Sequence, residues 1–307
     1  MRSIRASPGF SLVVLVTLGL FGFIGVMLFM GLLGLNATVQ AMGHFSSLDH
    51  RIHDLTYAFL FGTAVVGLLT QLRAPSKNVA GQLMALIPWV GFVLAFALTN
   101  ILINLLRPPF VPIFGALTLL AIILHPAGRN LFSSLNVSRV NWVMLGLLII
   151  AAVPLLIFAA TNIGLQRNAI DGHAALSHYG YMVAFSFTGL GVGLLASLRP
   201  DGWRLTAWVA GVLPALLGLA SVVFSDVGSS LGPVWSLAAI AWGVAFIAAA
   251  ELTRRGGRTD TGVVPDRGST TSTPRWGVYV FGVIVIVLAL LFVILHLSGG
   301  GPGLHTP

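Results

Sequence analysis

Nine apolar runs, each about 20 residues long, recur along this chain, and a helix of that length crosses about 30 Å of hydrocarbon. Inside a bilayer no water serves the backbone, so each run must satisfy its own N–H and C=O groups as a helix. The spans are expected near residues 10–35, 55–72, 82–105, 110–124, 141–161, 179–198, 205–224, 233–252 and 277–297. Pro108, Pro109 and Pro112 crowd the start of the fourth, the shortest, but a re-entrant segment there would reverse the charge pattern downstream. Composition agrees: 57% of residues are hydrophobic, only 8% are charged, and the mean hydropathy is +0.97. A soluble domain carries about 25% charge. The expected fold is an all-α integral membrane protein, with the lipid bilayer as its first partner.

The 16 Lys and Arg residues are distributed unevenly over the connections. Arg2, Arg5, Arg73, Lys77, Arg129, Arg139, Arg199, Arg204, Arg254, Arg255, Arg258, Arg267 and Arg275 fall on one side of a nine-span chain, and only Arg51, Arg107 and Arg167 fall on the other. The positive-inside rule then places a multi-pass protein in the cell membrane with its N-terminus cytoplasmic and its C-terminus extracytoplasmic. The net charge of +8 is thus a topology signal. Nucleic-acid binding would need a basic folded face with interleaved aromatics, whereas these charges sit in short connections, so no nucleic acid is expected. Arg2 and Arg5 before an apolar run, with Val39, Gln40 and Ala41 after it, imitate a signal peptide, but a run of about 26 residues exceeds the 7–15 of a signal core. The first helix is therefore expected in the mature protein.

Rare residues coincide when the second half is slid over the first. Asn36 and Gln40 align with Asn162 and Gln166, Arg73 with Arg199, Pro88 with Pro214, Asn100 with Asp226, and Arg129 with Arg255, within a longer match of Gly67, Leu68, Leu69 and Leu72 to Gly193, Leu194, Leu195 and Leu198. Polar residues and prolines are scarce in apolar spans, so these matches predict a duplication. Residues 1–135 and 136–255 would each form a four-helix unit, and an even number of helices makes the units parallel. Residues 256–276, rich in Gly, Ser, Thr and Arg, read as a flexible cytoplasmic linker that can touch anionic lipid. Residues 277–307 read as a ninth helix with a short external tail.

With no cysteine in the chain, site chemistry falls to histidine and carboxylate. Five of the eight histidines lie in two corresponding outer loops: His44, His50 and His53 after the first helix, with Asp49 and Asp54, and His173 and His178 after the fifth, with Asp171. If the second helix begins near Leu48, capped by Ser47, then His50, His53 and Asp54 share one face. Imidazole and carboxylate suit Zn, Cu, Fe or Ni, so His50, His53, Asp54, His173 and His178 are candidate metal ligands. Because His53 and His178 each open the second helix of their unit, they are also candidate axial ligands of a haem held between the units, with His50 as an alternative. That arrangement resembles in outline the duplicated four-helix haem proteins of respiratory membranes, such as haem A synthases. The chain departs from them in lacking a histidine at the outer end of the fourth and eighth helices; His125, on the fourth, lies at the cytoplasmic end.

Polar residues inside the spans are the other candidates. Asn100 and Asn104 are expected one turn apart on the third helix, Asp226 could join the histidines, and Glu251 is expected to pair with Arg254 or Arg255. Gly228-Ser229-Ser230-Leu231-Gly232 matches G-x-S-x-G, but a nucleophile elbow needs a strand before it, so a turn is expected. Gly189 and Gly193, and the stripe of Gly19, Gly22 and Gly25, predict close helix contacts. No catalytic motif is identified. The functions left standing are a haem- or metal-binding membrane protein, a small-solute permease, and a structural or assembly protein acting with a membrane-protein partner or as a homo-oligomer.

Overall fold

The computed structural model describes residues 8–32, 51–102, 104, 110–128, 130–133, 135, 139–226 and 228–256. Eight main helices form the bundle: α1 Pro8–Leu32, α2 Arg51–Leu69, α3 Val79–Leu98, α4 Phe110–Ile123, α5 Trp142–Asn168, α6 His178–Leu198, α7 Trp203–Val223 and α8 Gly232–Gly256. Seven of them are long and apolar enough to cross a membrane. The exception is α4, whose 14 residues rise only about 21 Å. The expected linker and the ninth helix, 277–297, lie outside the described residues, as do His44, Asp49 and His50. The protein is an all-α polytopic membrane protein.

Lipid, not water, explains its surface. Large apolar side chains face outward on every side, among them Leu12, Ile123, Ile149, Leu237 and Val244, all more than half exposed. Burial inside the bundle is correspondingly a matter of shape: Phe21 stacks on Phe114 with ring centroids 4.0 Å apart, and Trp89 Nε1 donates to Thr118 Oγ1 at 3.1 Å. These contacts fasten the short α4 to α1 and α3. At the centre, α2 and α3 pack on α6 and α7, while α1 and α4 flank one side of this core and α5 and α8 the other.

One end of the bundle is tied by polar contacts between helix termini. The Ala80 N–H, at the start of α3, donates to the Asp201 carbonyl at 2.9 Å, and the Asn141 N–H donates to the Ser197 carbonyl at 2.8 Å. Asn141 also caps α5 by accepting from the Val143 and Met144 N–H groups, and its amide donates to Thr253 Oγ1 at the end of α8. Gly202, at φ +83°, precedes α7, and a Cβ there would strike Asn78 at 2.8 Å, so the position requires glycine.

His125 belongs to the same end. It is buried, with Phe10 edge-on against its ring. Its Nδ1 accepts from the Ala127 N–H at 3.1 Å and its Nε2 meets Gln71 Oε1 at 3.2 Å, which selects the neutral Nε2–H tautomer. Burial pushes its pKa down to about 4. An unfolded histidine titrates near 6.5, so between pH 6.5 and about 4 the folded chain binds fewer protons and its stability rises with pH. The stability that wild type holds over His125→Asn should therefore shrink as pH falls from 7 to 5, measured as the difference in thermal midpoint in detergent. A difference independent of pH would place the ring in solvent.

One expectation needs correction. Asn100 and Asn104 do not share a helical face, because α3 stops at Leu98 and Asn100 turns into the left-handed region at φ 60°, a conformation asparagine tolerates better than most residues. Glu251 pairs with Arg204 on α7, at 2.6 and 3.1 Å, and accepts from Trp208 Nε1 at 2.9 Å, while the side chains of Arg254 and Arg255 lie outside the described residues.

Candidate functional site

The opposite end of the bundle gathers three histidines. His53 stands in the first turn of α2, His178 opens α6, and His173 sits on a single helical turn, Gly172–Ala175, between α5 and α6. Nitrogen atoms of the three rings lie within 4.8 Å of one another. His173 Nδ1 and His178 Nδ1 are 3.3 Å apart, and the His53 ring centroid is 4.8 Å from that of His173 and 5.0 Å from that of His178. His53 and His178 are only 1% and 2% exposed, while His173 is half-buried at the rim.

Local structure explains the convergence. Asp171 caps the single turn, its Oδ1 accepting from the Ala174 N–H at 2.7 Å, and its Oδ2 accepts from Tyr179 Oη at 2.8 Å. Burial would raise the Asp171 carboxyl, but the hydrogen bonds from Ala174 and Tyr179 and the adjacent His173 outweigh it and hold the group below the usual carboxylate range. Gln166, near the end of α5, closes the loop from the other side: its amide donates to the Ala174 carbonyl at 2.7 Å and its Oε1 accepts from the Gly180 N–H at 3.1 Å. Asn104 Nδ2 donates to Ser177 Oγ at 3.1 Å, and the Arg167 guanidinium donates to the Leu98 carbonyl, joining this loop to the end of α3. The turn carrying His173 is thus held from three directions.

On the far side of the cluster, His53 Nε2 lies 2.7 Å from Ser229 Oγ. Ser229 belongs to the α7–α8 connection, where the G-x-S-x-G match is a turn, as expected. Ser230 Oγ donates to the Ser221 carbonyl at 3.1 Å, and Ser221 Oγ accepts from the Leu231 N–H at 3.2 Å, so the turn has a fixed seat on α7. Of the candidate ligands, His53, His173 and His178 come together. Asp54 is not in that group of three; it stands one turn before Tyr57, whose ring is 4.9 Å from that of Tyr181. His50 lies outside the described residues. Asp226 is exposed, accepts from Ser225, and stays apart from the imidazoles.

Sequence reasoning passed over Ser229, Tyr179 and Gln166 as parts of this site. Gln166 had one signal, its alignment with Gln40; Tyr179 adjoins His178 but belongs to no motif, and Ser229 reaches His53 only through the packing of α7 on α2.

Comparison with protein-family models, curated proteins and solved structures yields no significant match. The function must be read from the site's own chemistry.

Proposed function

We propose that this chain is a membrane protein that holds one transition-metal ion between two parallel four-helix units, through His53, His173 and His178. The observation that carries the reading is the convergence of three imidazoles, two buried and one half-buried, from two helices and an intervening turn. Two ligands on a tetrahedral ion with bonds of about 2.0–2.1 Å stand about 3.3–3.4 Å apart. The His173–His178 nitrogen pair, at 3.3 Å, already has that separation. Three imidazoles leave a fourth position for water or a substrate, as in catalytic zinc sites, and the same ligands suit copper. Ser229 fixes the rotation of the His53 ring, and Asp171 seats the turn that carries His173, the service that outer partners give to metal-bound imidazoles.

A haem is the less favoured occupant. Opposed axial nitrogens stand about 4 Å apart with the porphyrin plane between them, each ring edge-on to the iron. His53 and His178 instead lie nearly parallel, at an interplanar angle of 24°, with centroids 5.0 Å apart, so they stack face to face where the macrocycle would need to pass.

The two-unit reading rests on the contacts as well as on the sequence matches. Exchanging each helix with the one four places later maps the pair α2–α3 onto α6–α7, α1–α4 onto α5–α8, and α3–α6 onto α7–α2, all of which pack together. The aligned prolines, Pro88 and Pro214, are both buried inside α3 and α7. In this reading the metal sits where α2 and α6, equivalent helices, meet.

Elemental analysis of detergent-purified protein, with an absorption spectrum of the same sample, tests the proposal. The expected result is about one equivalent of Zn or Cu and no porphyrin band. Protein that neither retains a metal nor takes one up after dialysis against Zn or Cu would leave a permease or a structural role. Orientation is tested separately: a reporter fused after residue 265 should be cytoplasmic and one at the C-terminus external, as the thirteen-to-three charge asymmetry demands. The reverse result for either fusion would end the nine-span topology.

A further inference from the structure

A cavity lies at the other end of the bundle from the histidines. It has a volume of about 700 Å³ and is lined by Lys77, Arg139, Arg199, Asp201, Gly202 and Trp203. Three cations therefore face one carboxylate. That carboxylate is already engaged, since Arg139 Nη1 donates to Asp201 Oδ1 at 2.8 Å. Arg199 has no such arrangement here: its guanidinium lies over the Trp203 ring, 4.8 Å from the centroid. Burial, and then the like charge of Arg139, bear on it and push its pKa down. A surface ion-pair network would place carboxylates between its cations; this cavity instead sets Arg199 beside a second arginine, Arg139, with one carboxylate between three cations.

The backbone places two helix ends beside these cations. Arg199 terminates α6 in the left-handed region, at φ 53°, and Gly202 starts α7 with no side-chain cap. The negative end of α6 and the positive end of α7, each 21 residues long, thus meet at the same cavity and offset one another, so its positive potential comes from the side chains of Lys77, Arg139 and Arg199. Trp203, the first residue of α7, has the amphipathic ring that commonly settles at the level of lipid headgroups.

We propose that this cavity binds a phosphoryl anion, either the headgroup phosphate of an anionic phospholipid or a free phosphate compound. Its size suits a small polar ligand. Basic pockets between membrane helices on the positively charged side are suited to lipid phosphates. Arginine can grip two phosphate oxygens at once, and Lys77, on the connection between α2 and α3, adds a point charge to the same lining. Bound there, one anion would join the α2–α3 connection to the α6–α7 connection, that is, one four-helix unit to the other.

Delipidated protein in a neutral detergent provides the test, with thermal midpoint as the readout. The probes are dihexanoylphosphatidylglycerol, dihexanoylphosphatidylcholine and sodium phosphate, all at matched ionic strength. The midpoint should rise with phosphatidylglycerol and stay unchanged with phosphatidylcholine at the same concentration. A rise with phosphatidylglycerol alone assigns a lipid headgroup, and an equal rise with millimolar inorganic phosphate assigns a free phosphate ligand. Replacing Arg139 and Arg199 together by Gln should weaken the response at least about tenfold, the effect of losing one or two charge-assisted hydrogen bonds. Single exposed-site variants decide the matter if that double variant fails to fold: Lys77→Gln should weaken binding and Asp201→Asn should tighten it, each by a few-fold. No midpoint rise with either anion, or a folded double variant that responds like wild type, overturns the proposal.

Discussion

The His178→Ala substitution is expected to lower the affinity of the purified protein for Zn or Cu by about 100-fold or more, beyond the 10–100-fold that loss of an outer partner costs. His178 is the ligand whose loss leaves least behind. It is 2% exposed, 3.3 Å from His173 by their Nδ1 atoms, and stacked on His53, so its removal takes away one nitrogen and the wall that sets the other two rings. His173→Ala should weaken binding comparably while disturbing packing less, because that ring is at the rim. Ser229→Ala removes only the partner of His53 Nε2, and a loss of about tenfold is expected. The graded order, ligand above outer partner, is what a metal site requires; competition with a chromophoric chelator measures it. Equal affinity in wild type and His178→Ala would place any bound metal elsewhere. Because imidazole binds a metal only when deprotonated, affinity should also fall as pH is lowered.

Fold class and the order of the helices were legible because hydropathy reports lipid exposure directly. Helix ends were less so, and for a consistent reason. The fifth span was expected to end at residue 161, yet α5 continues to Asn168 through Asn162, Gln166 and Arg167. Those polar residues read as a loop in a hydropathy profile, but Asn162 donates back to the Phe158 carbonyl and Gln166 to the Ala174 carbonyl, so they finish the helix and seat the next turn. The site was legible in part: the concentration of histidines in two loops was visible, and His53 and His178 stand at the starts of α2 and α6, where it put them. What no local pattern carried was which loop residues meet. Asp54 is adjacent to His53 in the chain but stands about 100° away around the helix axis and is not among the three grouped ligands. Ser229, 176 positions away, touches His53 because α7 packs on α2.

The glycines divide in the same way. Gly193 does approach α5, where a Cβ would meet Leu148 at 2.7 Å, but Gly189 has only Leu155 at 4.0 Å, and the stripe Gly19, Gly22 and Gly25 meets nothing within 4 Å among the described residues. Among the described residues a reciprocal backbone approach lies elsewhere, between α7 and α8, where no G-x-x-x-G marks it.

Gly211→Leu is expected to be the most damaging single change outside the site, costing about 3 kcal/mol or more, at or above the upper end of ordinary overpacking. A Cβ at Gly211 would lie 2.5 Å from the Gly243 carbonyl oxygen and 2.7 Å from Ile247 Cγ1, and a Cβ at Gly243 would collide with the Gly211 carbonyl in return. Two turns along, Gly218 faces the Ser236 carbonyl in the same manner. Contacts spaced by seven residues on both helices show that α7 and α8 stay close over two turns, in the shallow crossing that a seven-residue period favours. Side-chain rotamers can relieve a clash with Ile247, but nothing relieves one with a backbone carbonyl except separating the helices. In lipid no hydrophobic gain compensates, because packing between helices is itself the attraction. The consequence reaches the opposite end through the α7–α8 turn: Ser230 and Leu231 are bonded to Ser221 of α7, so a displaced α8 moves Ser229 away from His53. Gly211→Leu should therefore lower both the monodisperse fraction in size-exclusion chromatography and the thermal midpoint, and should weaken metal binding in whatever protein remains folded. Gly22→Leu, on an exposed stretch of α1, is the matched control and should leave all three unchanged. If Gly211→Leu behaves like that control, α7 and α8 are not held at glycine distance.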